Sequence, residues 1–258
     1  MLLAIDSGNT NIVFAIYDGE TLKAQWRSSS DAKRTADEYG VWLSQLMQLD
    51  GLQHGDVSDA IIATVVPETL FSLKSLCRKY FECEPMVIGT AEVNLNIEVL
   101  VDSPSEVGAD RLVNAVSAHN LYRGPLILID FGTATTFDVV DQEGNYFGGV
   151  IAPGINLSLD ALHMAAAQLP RIAVQRPERV IGKKTVPAML SGVYWGYIGL
   201  IEGLVSRIRD DFGNDNMATI ATGGLAPLFA EGTDAIQHLD LDLTLRGLAE
   251  IHRLNTSG

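Results

Sequence analysis

The chain has 258 residues, with 18 Lys+Arg against 32 Asp+Glu and a formal net charge of −14. A hydrophobic fraction of 47% with 19% charged residues excludes an intrinsically disordered chain, and the length suggests one large or two modest domains. Such acidity argues against nucleic acid or an anionic membrane as the main partner, while a small anion can still be held by local backbone dipoles.

In chain order, residues 1–10 (MLLAIDSGNT) open with an apolar run that Asp6 breaks, without a basic region ahead of it. This reads as a strand, not a signal peptide. The chain turns at 6–9, resumes as an apolar strand over 12–17, turns at Asp18-Gly19 and alternates over 21–27, which predicts a three-strand meander. Over 37–49, Val41, Leu43, Leu46 and Met47 stand near helical spacing behind an acidic first turn. The run 60–66 is apolar and β-branched, as in a strand covered on both faces. A helix over 70–81 and a short strand over 86–88 follow. Cys77 and Cys83, the only two cysteines, fall here and read as reduced thiols of a cytoplasmic protein.

A loop over 94–106 leads into VGADRLVNAVSAHNLY, helical by Leu112, Val113, Val116 and Leu121. Then LILIDFGTATTFDVVDQEG repeats the pattern of LLAIDSGNTNIVFAIYDGE: apolar strand, Asp-x-Gly, small polar residues, second strand, acidic-Gly turn. Asp6 and Asp130 stand about half the chain apart, so the repeat is a duplication of domain size and too long in period for a solenoid. It predicts two α/β domains, over 1–118 and 119–258. A long helix is expected over 186–209, with Gly192, Gly196, Gly199 and Gly203 along one face. Each glycine costs about 1 kcal/mol against alanine in a helix, so the stripe implies close approach of another helix. The uncharged part, 185–201, is shorter than the ~20 apolar residues of a bilayer span and reads as buried. MATIATGGLAPLF predicts strand, Gly-Gly turn and helix, and LDLTLRGLAEIHRLN a closing amphipathic helix.

The chemistry concentrates in the glycine turns. Gly8 lets the backbone approach a ligand closely, and successive N–H groups in such a turn form a concavity for anions. An acid at the strand end can hold a hydrated Mg²⁺ that bridges phosphate oxygens. A lone Asp6-Ser7-Gly8-Asn9-Thr10 is equally a plain hairpin turn. Its return as Asp130-Phe131-Gly132-Thr133-Ala134-Thr135 favours function. Ala221-Thr222-Gly223-Gly224 supplies a third turn, where phosphate or adenosine can rest against a helix N-terminus. Together these resemble the actin, Hsp70 and sugar-kinase superfamily: two duplicated ribonuclease-H-like (actin-like ATPase) domains facing a central cleft.

Within that superfamily, six motifs resemble those of type III pantothenate kinases. They are Asp6-Ser7-Gly8-Asn9-Thr10-Asn11, Gly108-Ala109-Asp110-Arg111, Asp130 through Thr135, Pro153-Gly154, Thr185 with Ala188-Met189-x-Ser191-Gly192, and Ala221 through Gly224. The resemblance implies ATP-dependent phosphorylation of pantothenate, the first step towards coenzyme A. Carried over residue by residue, it places Asp6, Ser7, Gly8, Asn9, Thr10, Asn11, Ile12 and Val13 at the ATP phosphates, with Thr133 on the second phosphate loop. It assigns Gly108, Ala109, Asp110 and Arg111 to pantothenate, with Thr185 reaching it from the other domain or a partner subunit. Asp110 becomes the proton acceptor and Asp130 the ligand of a monovalent cation, K⁺ or NH₄⁺, alongside Mg²⁺. A homodimer is implied too, which would account for the glycine stripe. The sequence departs at Val101, where many members carry an aromatic residue before Gly-Ala-Asp-Arg.

On physical grounds, the helix dipole is expected to lower the Asp110 pKa, while Asp6 is the rival base and Arg111 suits a carboxylate or phosphate. Asp110 capping its own helix is the plain alternative. The histidines show no metal-ligand spacing, the basic run 176–184 reads as a solvated loop, and Asp160 reads as structural. The competing functions are a sugar kinase or exopolyphosphatase-like hydrolase on the same fold, and a nucleotide-responsive regulator or transcriptional activator. Gly108-Ala-Asp-Arg with Thr185 argues against the former, the missing DNA-binding element and the net charge against the latter.

Overall fold

The computed structural model describes residues 1–166 and 169–256. Its first half runs β1 (Leu2–Ser7), β2 (Asn11–Asp18), β3 (Thr21–Ser29), α1 (Ala36–Leu49), β4 (Asp59–Thr64), α2 (Pro67–Tyr80), β5 (Met86–Val87) and α3 (Ala109–Tyr122). Then follow β6 (Leu126–Phe131), β7 (Ala134–Val140), β8 (Tyr146–Pro153), α4 (Ile155–Ala165), α5 (Thr185–Phe212), β9 (Ala218–Gly223), α6 (Ala226–Ala230), β10 (His238–Leu239) and α7 (Leu243–Thr256).

Contacts divide the chain into two units. The first comprises Met1–Ile97, Asp102–Ser117 and the segment from Asp242 onward; the second comprises Glu98–Val101 and Ala118–Leu241. The sequence reading runs the second domain to the end of the chain, whereas α7 joins the first unit. The reason is apolar: Leu245, Leu248 and Ile251 of α7 pack with Leu2, Ala4, Val13, Ile61 and Val113. Each such side chain contributes about 1.5–3 kcal/mol on burial.

In the first unit the sheet order is β3-β2-β1-β4-β5. β1 pairs antiparallel with β2 and parallel with β4. Alternate residues of the central strands point to opposite faces. Leu3, Ile5, Ile12, Phe14 and Ile16 meet α1 and α2 residues such as Leu43 and Leu73, and the other set meets α3 and α7. Both faces are therefore covered, which explains the unbroken apolar runs. Thr35 and Glu38 form a capping box at the start of α1.

The second unit repeats the topology as β8-β7-β6-β9-β10. In both β1 and β6, four buried residues precede a half-buried Asp and then a buried residue. Asp6 lies opposite Val13 and Ala63, and Asp130 opposite Thr136 and Thr222. The core here joins Ile127, Ile129 and Phe137 to Tyr194, Ile198, Ile201 and Val205 of α5. Of the described helices, only α5 is long and apolar enough to cross a membrane, and its buried residues belong to this core. Among the described residues, a Cβ on Gly192, Gly196 or Gly199 would meet nothing within 4 Å, while one on Gly203 would stand 3.1 Å from Arg207 Nη1 of the same helix. α4, unforeseen in the sequence, starts at Gly154 and buries Ile155 and Leu159.

Candidate active site

The first loop leaves β1 at Asp6 and turns through Gly8, whose N–H donates to the Asn11 carbonyl at 3.0 Å. Asn9, Thr10 and Asn11 are exposed and can reach a ligand with side chains. Ser7, Ile12 and Val13 face inward, so any contact they make with nucleotide is through the backbone. The Ser7 hydroxyl is 2.9 Å from Thr69 Oγ1 inside the first unit.

The second loop repeats the turn, with the Gly132 N–H donating to the Ala134 carbonyl at 3.0 Å. Thr133 is exposed at its tip. Two glycines outside the expected site set define its surroundings. Gly154 lies so close that a Cβ would overlap the Thr133 carbonyl oxygen and stand 2.9 Å from that of Gly132. Gly223 adopts φ +91°, a left-handed conformation that favours glycine, and a Cβ there would fall 2.6 Å from Asp130 Oδ1 and 2.7 Å from the Phe131 carbonyl oxygen. The sequence signals for both are present: Pro153-Gly154 after a strand, and the Gly-Gly turn after β9.

Gly108, Ala109, Asp110 and Arg111 open α3, in the first unit. Asp110 Oδ1 accepts the Arg111 backbone N–H at 2.8 Å, which is the local capping interaction. A Cβ on Gly108 would sit 2.6 Å from that oxygen and 3.3 Å from Val65 Cγ1. Burial pushes the Asp110 carboxyl above its ordinary value, against the smaller opposing pull of the Arg111 N–H and guanidinium. The expected lowering by the helix dipole is thus reversed, because desolvation of the charged form outweighs it. Ala109 is buried and offers backbone only.

Thr185 is exposed as the first residue of α5, whose N-terminus has no side-chain cap. The basic run before it is fastened to the helix: Gly182 packs against the backbone of Ala188, and the Ser191 hydroxyl donates to the Val180 carbonyl. Val101 belongs to the second unit, and its Cγ1 comes within 3.9 Å of where a Gly148 Cβ would be.

A sequence profile described as type III pantothenate kinase matches residues 2–207. The chain is 68% identical over 257 residues to the type III pantothenate kinase of Paramagnetospirillum magneticum, covering 100% of this chain and 98% of that one. It is 68% identical over 255 residues to that of Rhodospirillum rubrum, covering 99% of each. Among solved structures, a protein from Campylobacter jejuni described as a Baf family transcriptional activator superposes with TM-score 0.63 at 18% identity, covering 99% of this chain and 100% of that one. A sugar-acid kinase from Sinorhizobium meliloti, described as a 2-dehydro-3-deoxygalactonokinase, gives TM-score 0.61 at 13% identity, covering 98% and 96%. At those identities the structures speak for the fold alone, the actin-like ATPase and sugar-kinase fold. The sequence relatives speak for more: with near-complete coverage at 68% identity, the chain belongs to the type III pantothenate kinase family, which phosphorylates pantothenate with ATP in coenzyme A biosynthesis.

Proposed function

We propose that Asp110 accepts the proton of the pantothenate primary hydroxyl as the γ-phosphoryl group of ATP is transferred to it. The observation that carries this is the half-buried Asp110 at the start of α3, whose Oδ1 accepts the Arg111 N–H at 2.8 Å and whose carboxyl burial pushes above its ordinary value. A base works best with a pKa nearer the operating pH, and burial moves Asp110 in that direction. Phosphoryl transfer otherwise needs positioning and charge neutralisation. Within the Asp6–Val13 stretch, the exposed Asn9, Thr10 and Asn11, with Thr133 on the second loop, supply the phosphate contacts. Gly108, Ala109 and Arg111 receive pantothenate, with the Arg111 guanidinium suited to its carboxylate, and Thr185 offers a hydroxyl.

The residues fit the cations that the family implies. Among the described residues no group of three or more His, Cys, Asp or Glu could hold a metal ion. Asp6 would be the carboxylate that holds Mg²⁺, with phosphate oxygens and water completing its shell. At Asp130, the space that a Cβ on Gly223 would fill is bordered by Asp130 Oδ1, the Phe131 carbonyl oxygen and the Phe131 backbone nitrogen, and the two oxygens would be the ligands offered to K⁺ or NH₄⁺. When bound, these cations supply positive charge that offsets the negative charge of the phosphates. We place the enzyme in the cytoplasm, in keeping with two free cysteines.

ADP release from ATP is expected to require pantothenate and Mg²⁺, and to fall sharply when Na⁺ replaces K⁺. Turnover without pantothenate, or none with it, would remove the basis for these assignments; equal rates in Na⁺ and K⁺ would remove the cation from Asp130. The homodimer is supported by the open stripe on α5. Gly196→Leu changes an exposed position where a Cβ would meet nothing within 4 Å among the described residues. It should leave the protomer folded while shifting sedimentation from dimer to monomer; a wild-type monomer would end that reading.

A further inference from the structure

We infer that Thr69, in the first turn of α2, is a positioning residue for the first phosphate loop. The inference rests on that loop binding the phosphates of ATP. Its basis is a hydrogen-bond chain whose proton order can be read from the donors. Thr69 is 2% exposed and Ser7 1%, so neither hydroxyl has water to turn to. Thr69 Oγ1 donates to the Val66 carbonyl at 2.9 Å. A threonine hydroxyl carries one hydrogen, so when it is directed at the Val66 carbonyl, which the Thr69 N–H and Thr64 Oγ1 also reach at 3.0 and 3.1 Å, Thr69 accepts from Ser7 across their 2.9 Å contact.

The order is thus Ser7 to Thr69 to Val66. Thr64 completes the cluster: its Oγ1 accepts the Val66 N–H at 3.0 Å and lies 3.4 Å from Thr69 Oγ1. α2 has no side-chain cap from its own N-cap residue, Val66, and Pro67 follows at once. Thr64 serves that end instead.

Ser7 is gripped twice. Its carbonyl accepts the Val65 N–H at 3.1 Å and its hydroxyl is held by Thr69. It stands between Asp6 and Gly8, so these two bonds fix the direction in which the carboxylate and the turn leave β1. As the last residue of β1, Ser7 is also paired with Ile12 and Thr64 in the sheet, and its hydroxyl adds a side-chain tie to α2. Val65 also lies beside Gly108, so the connector that holds the loop is the one that packs against the start of the Asp110 helix. Thr69 touches no substrate in this arrangement and acts only through Ser7.

The test is steady-state kinetics of full-length Thr69→Val and Thr69→Ser with ATP and pantothenate varied separately. Thr69→Val keeps the shape and removes the hydroxyl. It should lower kcat by roughly tenfold to a hundredfold and raise KM for ATP, with KM for pantothenate unchanged. Thr69→Ser restores the hydroxyl and should recover kcat to within about threefold of wild type. If Thr69→Val does not fold, Ser7→Ala removes the same bond from the other side and should give the same KM split. Normal kcat in the folded valine or alanine variant, or a serine variant as impaired as the valine one, would overturn the role. Wild-type enzyme without pantothenate-dependent turnover would instead defeat the phosphate-loop reading beneath it.

Discussion

Asp110→Asn should lower kcat by about 10²- to 10⁴-fold, the range for loss of a positioned acid–base group, while leaving the melting temperature at neutral pH unchanged or higher. The two halves of this expectation have one cause. Burial raises the Asp110 carboxyl, so the folded chain binds its proton more tightly than the unfolded chain does. Below the unfolded carboxyl's pKa, ordinarily 3.8, both states are protonated and the group is neutral towards stability. As pH rises through the raised folded value, the folded state comes to carry a desolvated charge and stability falls. Above the raised folded value wild type bears the whole of that penalty, and asparagine does not. Its side-chain oxygen can still accept the Arg111 N–H.

The same shift sets the acid limb of activity. Wild-type kcat/KM should rise with pH through a value above 3.8, and Asp110→Asn should lose that limb. A variant several degrees less stable at neutral pH would show Asp110 to be a structural cap whose ionised form the fold favours. A variant with near-normal kcat would transfer the base to Asp6.

Gly154→Ala is the other severe change. Its backbone, φ −71° and ψ 156°, suits any residue, so the argument is one of space alone. An added Cβ would overlap the Thr133 carbonyl and stand 2.7 Å from the carbonyl carbon, both backbone atoms without a rotamer to yield. Either the turn carrying Thr133 or the first turn of α4 must move. Overpacking of this kind costs about 1–3 kcal/mol. A shift of roughly 1 Å in a phosphate-positioning loop can cost about a hundredfold in kcat. Denaturant unfolding and ATP-varied kinetics read the two effects separately. Gly55→Ala, with nothing within 4 Å, serves as the comparison. A Gly154→Ala enzyme as active and stable as Gly55→Ala would show that the Thr133 turn is not tightly fixed.

Much of this site can be read in the amino-acid order because glycine and aspartate at strand ends leave a strong local signature. The duplication is visible for the same reason: each apolar strand breaks at an acid, then Gly, then small polar residues. What distance along the chain does not carry is the interior. That Ser7 faces Thr69 and not the ligand depends on α2 closing over β1. Whether Asp110 gains or loses acidity depends on how deeply the folded chain buries it, against the pull of Arg111. Leu121 fits the helical spacing of α3 yet is exposed, because the last turn runs beyond the core that Val113 and Val116 fill. α4 has apolar residues on several sides, including the exposed Leu157, Leu162 and Met164, so no clean stripe announces it. β10, only two residues long, is defined by its pairing with Ile220 and Ala221.

The placement of α7 has a consequence for how the molecule is made. Synthesis delivers the loop that follows Asp6 and the start of α3 long before Leu243, yet Leu245, Leu248 and Ile251 are part of the core behind β1 and β4. At about 5–20 residues per second, the nascent first unit waits several seconds with that apolar face uncovered. The second unit, Ala118–Leu241 with the short Glu98–Val101 segment, is fully synthesised while the first still lacks its last helix. Damage near the C-terminus, whether a premature stop or a bulky fusion, therefore falls on the oldest part of the chain and on the loop that begins at Asp6.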